Sequence, residues 1–335
     1  MNETSGGNPL AKYREPVEHC ILWRGRWLGL DLINVLTLGT VLIPSLAVAT
    51  VIVLTWGTWI DPLGLVMLIG GAYLGGLGVT LGYHRLFTHK SFEAKPWLKR
   101  ALGILASMNV QGPVLFWCSC HRAHHQNSDR DGDPHSPHLS GAGFWNSIRG
   151  FIHAHFGWIV FAGSYRYNAK RVRDLYQDPD VRFVDDYYLL WVFLGLAIPA
   201  LIGGLWDRSV EGAIQGFFWG GLARIVITHH VTWAINSFGH LFGSRPFQTN
   251  DESRNNLFLA ILGHGEGWHN NHHAFPQSAR HGLERGQVDS SYGYLRLLEK
   301  LGWVWNIRVA TPKQMEQKRR ESAEEEPVEV TSQVS

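Results

Sequence analysis

From Leu32 to Trp56 the chain carries no charged residue, and the same holds from Pro62 to Tyr83 and from Tyr187 to Trp206. Runs of this kind meet the roughly 20 residues that a bilayer core demands of a spanning helix. A fourth run, Gly212 to about Phe238, is longer and is interrupted by Arg224, a charge that is costly within a span and is expected to be paired or functional. Lipid leaves a chain little choice, because backbone polar groups there must be satisfied internally, which an isolated span achieves as a helix. The pattern predicts an all-α integral membrane protein with four transmembrane helices at 32–56, 62–83, 187–206 and 212–238. Charged residues make up 17% of the chain, below the quarter or so usual in soluble domains, while mean hydropathy is −0.09. Apolar spans joined to a sizeable polar region account for both. Gly70, Gly71, Gly75, Gly76 and Gly78 supply the second span with the small residues that let membrane helices approach closely.

Topology follows from the positive charges. The connections Gly57–Asp61 and Asp207–Glu211 hold only Arg208 between them, whereas Arg24, Arg26, Arg85, Lys90, Lys95, Lys99 and Arg100 flank the opposite ends. Both termini are therefore expected in the cytoplasm. Segments 84–186 and 240 onward then share that side as a helical cap folded onto the span ends, giving one multi-pass domain over residues 32–310. The apolar run Ala101–Ser119 is broken by Gln111, Gly112 and Pro113, so a buried or re-entrant segment is expected instead of a fifth crossing. Residues 1–31 read as a cytoplasmic segment, and the first apolar run is too long and too late for a cleaved signal peptide. The charged, aperiodic tail 311–335 is expected to be disordered. A net charge of +2 without a basic stripe argues against nucleic acid. Three cysteines make neither a disulfide framework nor a four-ligand zinc site.

The predicted cytoplasmic side holds three knots of histidine: His84 and His89; His121, His124 and His125; His269, His272 and His273. Residues three and four apart share a helix face, so each H-x-x-H-H offers three imidazoles together. His84 and His89, five apart, do not align on an α-helix and are expected to straddle a helix end. Eight buried imidazoles would each need partners, which ordinary packing does not supply. They therefore read as ligands to metal, and their number implies two ions. H-E-x-x-H is absent, and imidazole suits iron, copper, zinc and nickel alike. A nitrogen-rich di-iron centre at the span ends has a chemical purpose, since it activates oxygen where a buried acyl chain meets cytoplasmic electron donors. Glu266 and Asp133 are expected to accept from ligand N–H groups. His19, His153, His155 and His281 are read as ordinary interfacial or capping residues.

The segments "GYHRLFTH", "CHRAHHQNSDRDGDPHS", "NSFGHLFGSRPF" and "GEGWHNNHHAFP", in this order, resemble the boxes of the membrane fatty acyl desaturases, particularly the Δ9-type group that includes the animal stearoyl-CoA desaturases. The likeness runs from the first span to about residue 305. It implies a cis double bond made in a saturated acyl chain at the expense of O2, with two iron ions on His84, His89, His121, His124, His125, His269, His272 and His273. It adds His240 as a ninth ligand and Asn236 as a ligand through water. It places Gln111, Trp117 and Thr232 at the kink of an acyl tunnel, with Ala72 and Gly76 toward its far end. Both are small, which leads to an expectation of long-chain tolerance, with Ala72→Tyr shortening the preferred substrate. No segment after Pro312 is long enough for a fused cytochrome b5 or flavin domain, so the resemblance implies a separate cytochrome b5 or ferredoxin with its reductase.

Departures from that pattern touch the carrier. Ser119 and Cys120 stand where the animal acyl-CoA enzymes have an Arg-Asp pair, and Gly112 and Pro113 replace Asn-Asp. CoA recognition is thereby placed in doubt, leaving acyl-lipid and acyl-carrier-protein substrates open. About seven additional residues near Asn146–Ile152 are expected to reshape the entrance. A hydroxylase, ketolase or acetylenase would use the same ligands. A histidine-rich metal transporter would instead distribute them along the spans, where only His229 and His230 lie.

Overall fold

The computed structural model describes residues 26–27, 30–55, 59–160 and 167–325. It is helical almost throughout. Among the described residues the only strands form two short antiparallel pairs, β1 Arg26–Trp27 with β2 Leu30–Asp31 and β3 Glu93–Ala94 with β4 Val304–Trp305. The run at 32–56 forms helix α1, Leu32–Thr55. α2, Pro62–Leu77, opens with Asp61 as its cap, the carboxylate accepting from the Gly64 amide at 2.5 Å, and with Pro62 in the first turn, where a missing N–H costs nothing. The helix does not stop there. It continues over Gly78–Thr88 with i→i+5 hydrogen bonds, a π-helical stretch, so that one rod runs from Pro62 to Thr88.

The sequence breaks again where Gln111–Pro113 interrupts the apolar pattern. α3, Pro96–Ser107, and α4, Val114–Asn127, are separate helices joined by a turn in which Val110 (φ 56°) and Gly112 (φ 93°) take left-handed conformations. Both helices are buried against the π-helical stretch through Leu81, Tyr83, Phe87, Leu102, Ala106 and Leu115, the core of the cap. The additional residues near 146–152 fold as α5, Phe144–Ile152, whose Gly150 lies against the Pro137 carbonyl; an added Cβ would sit 1.9 Å from that oxygen. α6, Pro179–Asp186, leads into α7, Tyr188–Asp207. After Arg208, left-handed at φ 51°, the chain returns as α8, Val210–Gln215, a second π-helical stretch Gly216–Ala223, and α9, Arg224–Ser237.

Among the described residues two helices are long and apolar enough to cross a bilayer, Pro62–Thr88 and Tyr188–Asp207. Their outer faces stay uncovered: Val66 and Ile69 on the first, and Leu189, Phe193, Leu201 and Leu205 on the second, are exposed. α1 shows the same with Ile43, Leu46, Val53 and Leu54. The inner faces are tight. A Cβ on Gly71 would come within 2.4 Å of Arg224 Cδ, and one on Gly75 within 2.1 Å of Asn109 Nδ2, whereas Gly70 faces open space and takes no part in close packing. Arg224 itself is buried and meets no carboxylate among the described residues. It donates to the carbonyls of Gly220 (2.7 Å), Met108 (3.0 Å) and Gly195 (2.9 Å) and to Asn109 Oδ1 (2.8 Å), tying α7, α9 and the turn after α3 together.

The tail departs from expectation. Residues Pro312–Glu325 form a helix, whereas 311–335 as a whole was expected to lack structure; 326–335 and His19 lie outside the described residues. Lys, Arg, Gln and Glu are good helix formers despite their charge, and Arg319 anchors the helix by pairing with Glu284 and by placing its guanidinium 5.4 Å from the centre of the Phe247 ring.

Candidate metal centre

The five-residue spacing of His84 and His89 is resolved by the π-helical stretch. With i→i+5 bonding, the His89 amide reaches the His84 carbonyl at 3.1 Å and the two rings lie 4.7 Å apart. His89 is the capping residue, so the pair does end the helix, and it is the wider turn that aligns it. α4 supplies His121, His124 and His125, and a short helix, His269–Ala274, supplies the third knot.

Each H-x-x-H-H divides. His121 and His125 join His84, His89 and His272 in one group of five, while His124 joins His240, His269 and His273 in a group of four. The first and last members of each motif, four apart, point one way, and the middle one points to the other group. Ring nitrogens face each other at close range: His84 and His272 at 3.1 Å, His121 and His125 at 3.0 Å, His125 and His272 at 3.0 Å, His240 and His269 at 3.1 Å, His124 and His273 at 3.4 Å. Imidazoles bound to a common ion at ~2.1 Å would hold their nitrogens ~3.0 Å apart at right angles and ~3.4 Å apart at tetrahedral angles. The donor set fits two ions.

Carboxylates fix the opposite ring nitrogens. His84 Nδ1 lies 2.6 Å from Glu266, His124 Nδ1 3.0 Å from Asp133, His240 Nδ1 2.8 Å from Asp129, and His273 Nδ1 2.7 Å from Asp251. An acceptor there keeps the proton on Nδ1 and turns the bare Nε2 inward, as a metal ligand requires. Burial alone would raise the Asp251 carboxyl, but His273, Ser253 and Thr249 hold it far below the usual range. Burial, with neighbouring imidazoles, holds His89, His121, His125, His269 and His272 well below the ordinary histidine range and so neutral. Replacing Asp251 with asparagine should weaken metal retention by ~10–100-fold, measured by chelator competition; retention equal to the parent protein would remove Asp251 from this role.

Glu266 and Asp133 were expected; Asp129 and Asp251 were not, and they meet their histidines across 111 and 22 residues of chain. His281 is also closer than anticipated, its ring 4.5 Å from His272 and its Nδ1 3.4 Å from Glu266. Arg85, wholly buried, donates to Glu266, Asp289 and the Ala279 carbonyl and sets this corner. Four further histidines make ordinary hydrogen bonds: His153 faces the Pro134 carbonyl, His229 the carbonyls of Asn109 and Val110, and His155 pairs with His230 at 3.0 Å.

A cavity of about 330 Å³ opens on both groups, with His84, His121 and His269 in its wall. Trp117, Thr232, Asn236, Ala72 and Gly76 line it as well. Trp117 stacks on His121 at 5.0 Å. Gln111 is not in the lining; it stands behind it and donates to Thr232 Oγ1 at 3.4 Å. Ser119 and Cys120 are buried away from the cavity, Ser119 being tied to the backbone of Asn168, so neither is offered to a carrier headgroup. α5 contributes nothing to the lining.

Buried imidazoles in two carboxylate-braced groups, set against a mostly apolar cavity, make a site that could hold two metal ions beside an apolar ligand. The fatty acid desaturase family model matches residues 57–289, and the chain belongs to the membrane fatty acid desaturases. It is similar to a hex-5-enoyl-[acyl-carrier protein] acetylenase of Moorena producens (strain JHB), 40% identical over 83% of this chain and 87% of that one. It is also similar to an sn-1 stearoyl-lipid 9-desaturase of Anabaena variabilis, 40% identical over 72% and 82%. Delta-9 acyl-lipid desaturase 2 of Arabidopsis thaliana is 34% identical over 93% and 94%.

Proposed function

We propose that this protein is an oxygen-dependent fatty acyl desaturase that introduces a cis double bond, at Δ9, into a saturated long acyl chain. The observation that carries the reading is the cavity itself, whose wall is mostly apolar and includes His84 and His121 of one histidine group and His269 of the other. Two iron ions would be held by the five- and four-histidine groups, with Asn236 joining through water, and when bound they supply oxygen activation. Two hydrogens leave adjacent methylenes, dioxygen becomes two waters, and two electrons and two protons arrive from outside through a cytochrome b5 or ferredoxin with its reductase. The carboxylates hold the ligand tautomers. Trp117 and Thr232, with Gln111 behind, bend the chain so that one pair of methylenes faces the ligands, which is control of position by geometry.

The outward apolar faces of α1, α2, α7 and the α8–α9 rod support four transmembrane helices, and the positive charges flanking one set of helix ends support a cytoplasmic side for both termini and the histidines. The acyl chain would be presented on lipid, carrier protein or CoA, and burial of Ser119 and Cys120 favours the first two. Acetylenase activity is the second reading, favoured by the Moorena relative.

Expression in a host of known lipid profile, followed by mass spectrometry with double-bond localisation, tests these readings. New cis monoenes that depend on oxygen support the desaturase. Triple bonds support the acetylenase, hydroxylated chains would move the assignment to a hydroxylase, and an unchanged profile would overturn it.

A further inference from the structure

Gly76 was expected to lengthen the acyl tunnel by leaving room for substrate. The structure shows that the room is taken. A Cβ built on Gly76 would meet His264 Nε2 at 2.6 Å, so the His264 imidazole stands where a side chain at 76 would go. His264 lines the same cavity as the metal-facing histidines, on the turn that follows the helix Leu257–Leu262. Its backbone is left-handed at φ 58°, a conformation that costs a non-glycine residue energy and persists only where the surroundings impose it. The surroundings do so here. The ring meets Tyr73 edge-on at 4.6 Å, its Nδ1 faces Ser290 Oγ at 3.4 Å, and its backbone carbonyl accepts from the Ser291 amide at 3.3 Å.

Nε2 has no hydrogen-bond partner among the described residues. Burial lowers the imidazole to about 4, so it is neutral at ordinary pH. A methylene seated against that nitrogen would keep water from it without replacing the lost hydrogen bond, which is unfavourable. By contrast, Leu68, Ile69, Ala72 and Ile227 give the same cavity apolar wall. Bulk and polarity therefore both set His264 against an alkyl chain.

We infer that His264, rather than the residue at position 76, is the specificity-determining residue of this part of the acyl cavity, and that its ring limits the length of chain the site accepts. The inference rests on the acyl-desaturase reading above. It reverses one earlier expectation, because the missing side chain at Gly76 accommodates a histidine and not more substrate.

The test uses the full-length protein and two variants, with glycine chosen for its ease at positive φ. His264→Gly removes the ring without straining the backbone; His264→Phe keeps the bulk. Products from a mixed pool of saturated acyl chains are compared by length, alongside thermal stabilisation of each protein by saturated fatty acids of increasing length. One methylene in a hydrophobic pocket is worth ~10-fold or more in discrimination. The ratio of long to short products should therefore rise at least ~10-fold in His264→Gly and stay close to the parent ratio in His264→Phe, with stabilisation by long fatty acids following the same order. An unchanged ratio in an active His264→Gly, or an equal shift in His264→Phe, overturns the inference.

Should His264→Gly lack activity, the fatty-acid stabilisation series still decides, together with a second pair. Gly76→Ala should displace the ring and impair the protein, and Gly76→Ala combined with His264→Gly should recover it. Full tolerance of Gly76→Ala alone, with the parent product lengths, would overturn the steric relation. A parent protein that yields no unsaturated product would instead refute the desaturase reading.

Discussion

With His272 replaced by alanine, new double bonds should disappear from the host lipids while the protein remains folded. The residue is buried and faces two other imidazoles of its group, His84 at 3.1 Å and His125 at 3.0 Å, across the space an ion would fill. Alanine removes one of five imidazoles from that group and leaves Glu266, Arg85 and Asp289 paired as before, since none of them hydrogen-bonds His272. Metal content measured on the purified variant should fall from two ions per chain to one or fewer. A fully loaded and active His272→Ala protein would contradict the ligand assignment; a loaded but inactive one would leave His272 acting on substrate instead.

Arg224→Met should have a comparably large effect through a different route. The side chain is 5% exposed, and its guanidinium satisfies three backbone carbonyls and Asn109 Oδ1, three of the four bonds being fully buried. Methionine fills much of the volume but donates nothing. Each buried acceptor left without a donor costs ~1–3 kcal/mol, so a loss of at least ~3 kcal/mol is expected, seen as a large drop in thermal midpoint in detergent. Lysine should not restore it, because one ammonium group does not match the directions a guanidinium fork reaches. A midpoint within a few degrees of the parent protein would show that these carbonyls find other donors.

Much of this was legible in the residues. Uncharged runs located the helices, and the repeated H-x-x-H-H spacing was enough to call for two ions. What the spacing did not reveal was how each motif divides between them, since three- and four-residue offsets say which histidines share a face and not which neighbour that face meets. His84 and His89 were harder still, because the π-helical turn that aligns them has no signature in hydrophobic pattern. Arg224 could be flagged as anomalous but not paired, its acceptors being carbonyls, which carry no mark in a sequence. Asp129 and Asp251 reach their histidines across 111 and 22 residues of chain, a closure that only the packed cap brings about.

The division of the two motifs has a thermodynamic consequence. Since α4 and the helix His269–Ala274 each give ligands to both groups, an ion entering either group restrains elements that the other also needs. Ordering entropy is then paid largely by the first arrival, and the second binds a framework already held in place. Loading of the pair should therefore be cooperative, each ion strengthening the other to the same degree by linkage. Titration of the metal-free protein should pass from empty to doubly filled with little singly filled protein between.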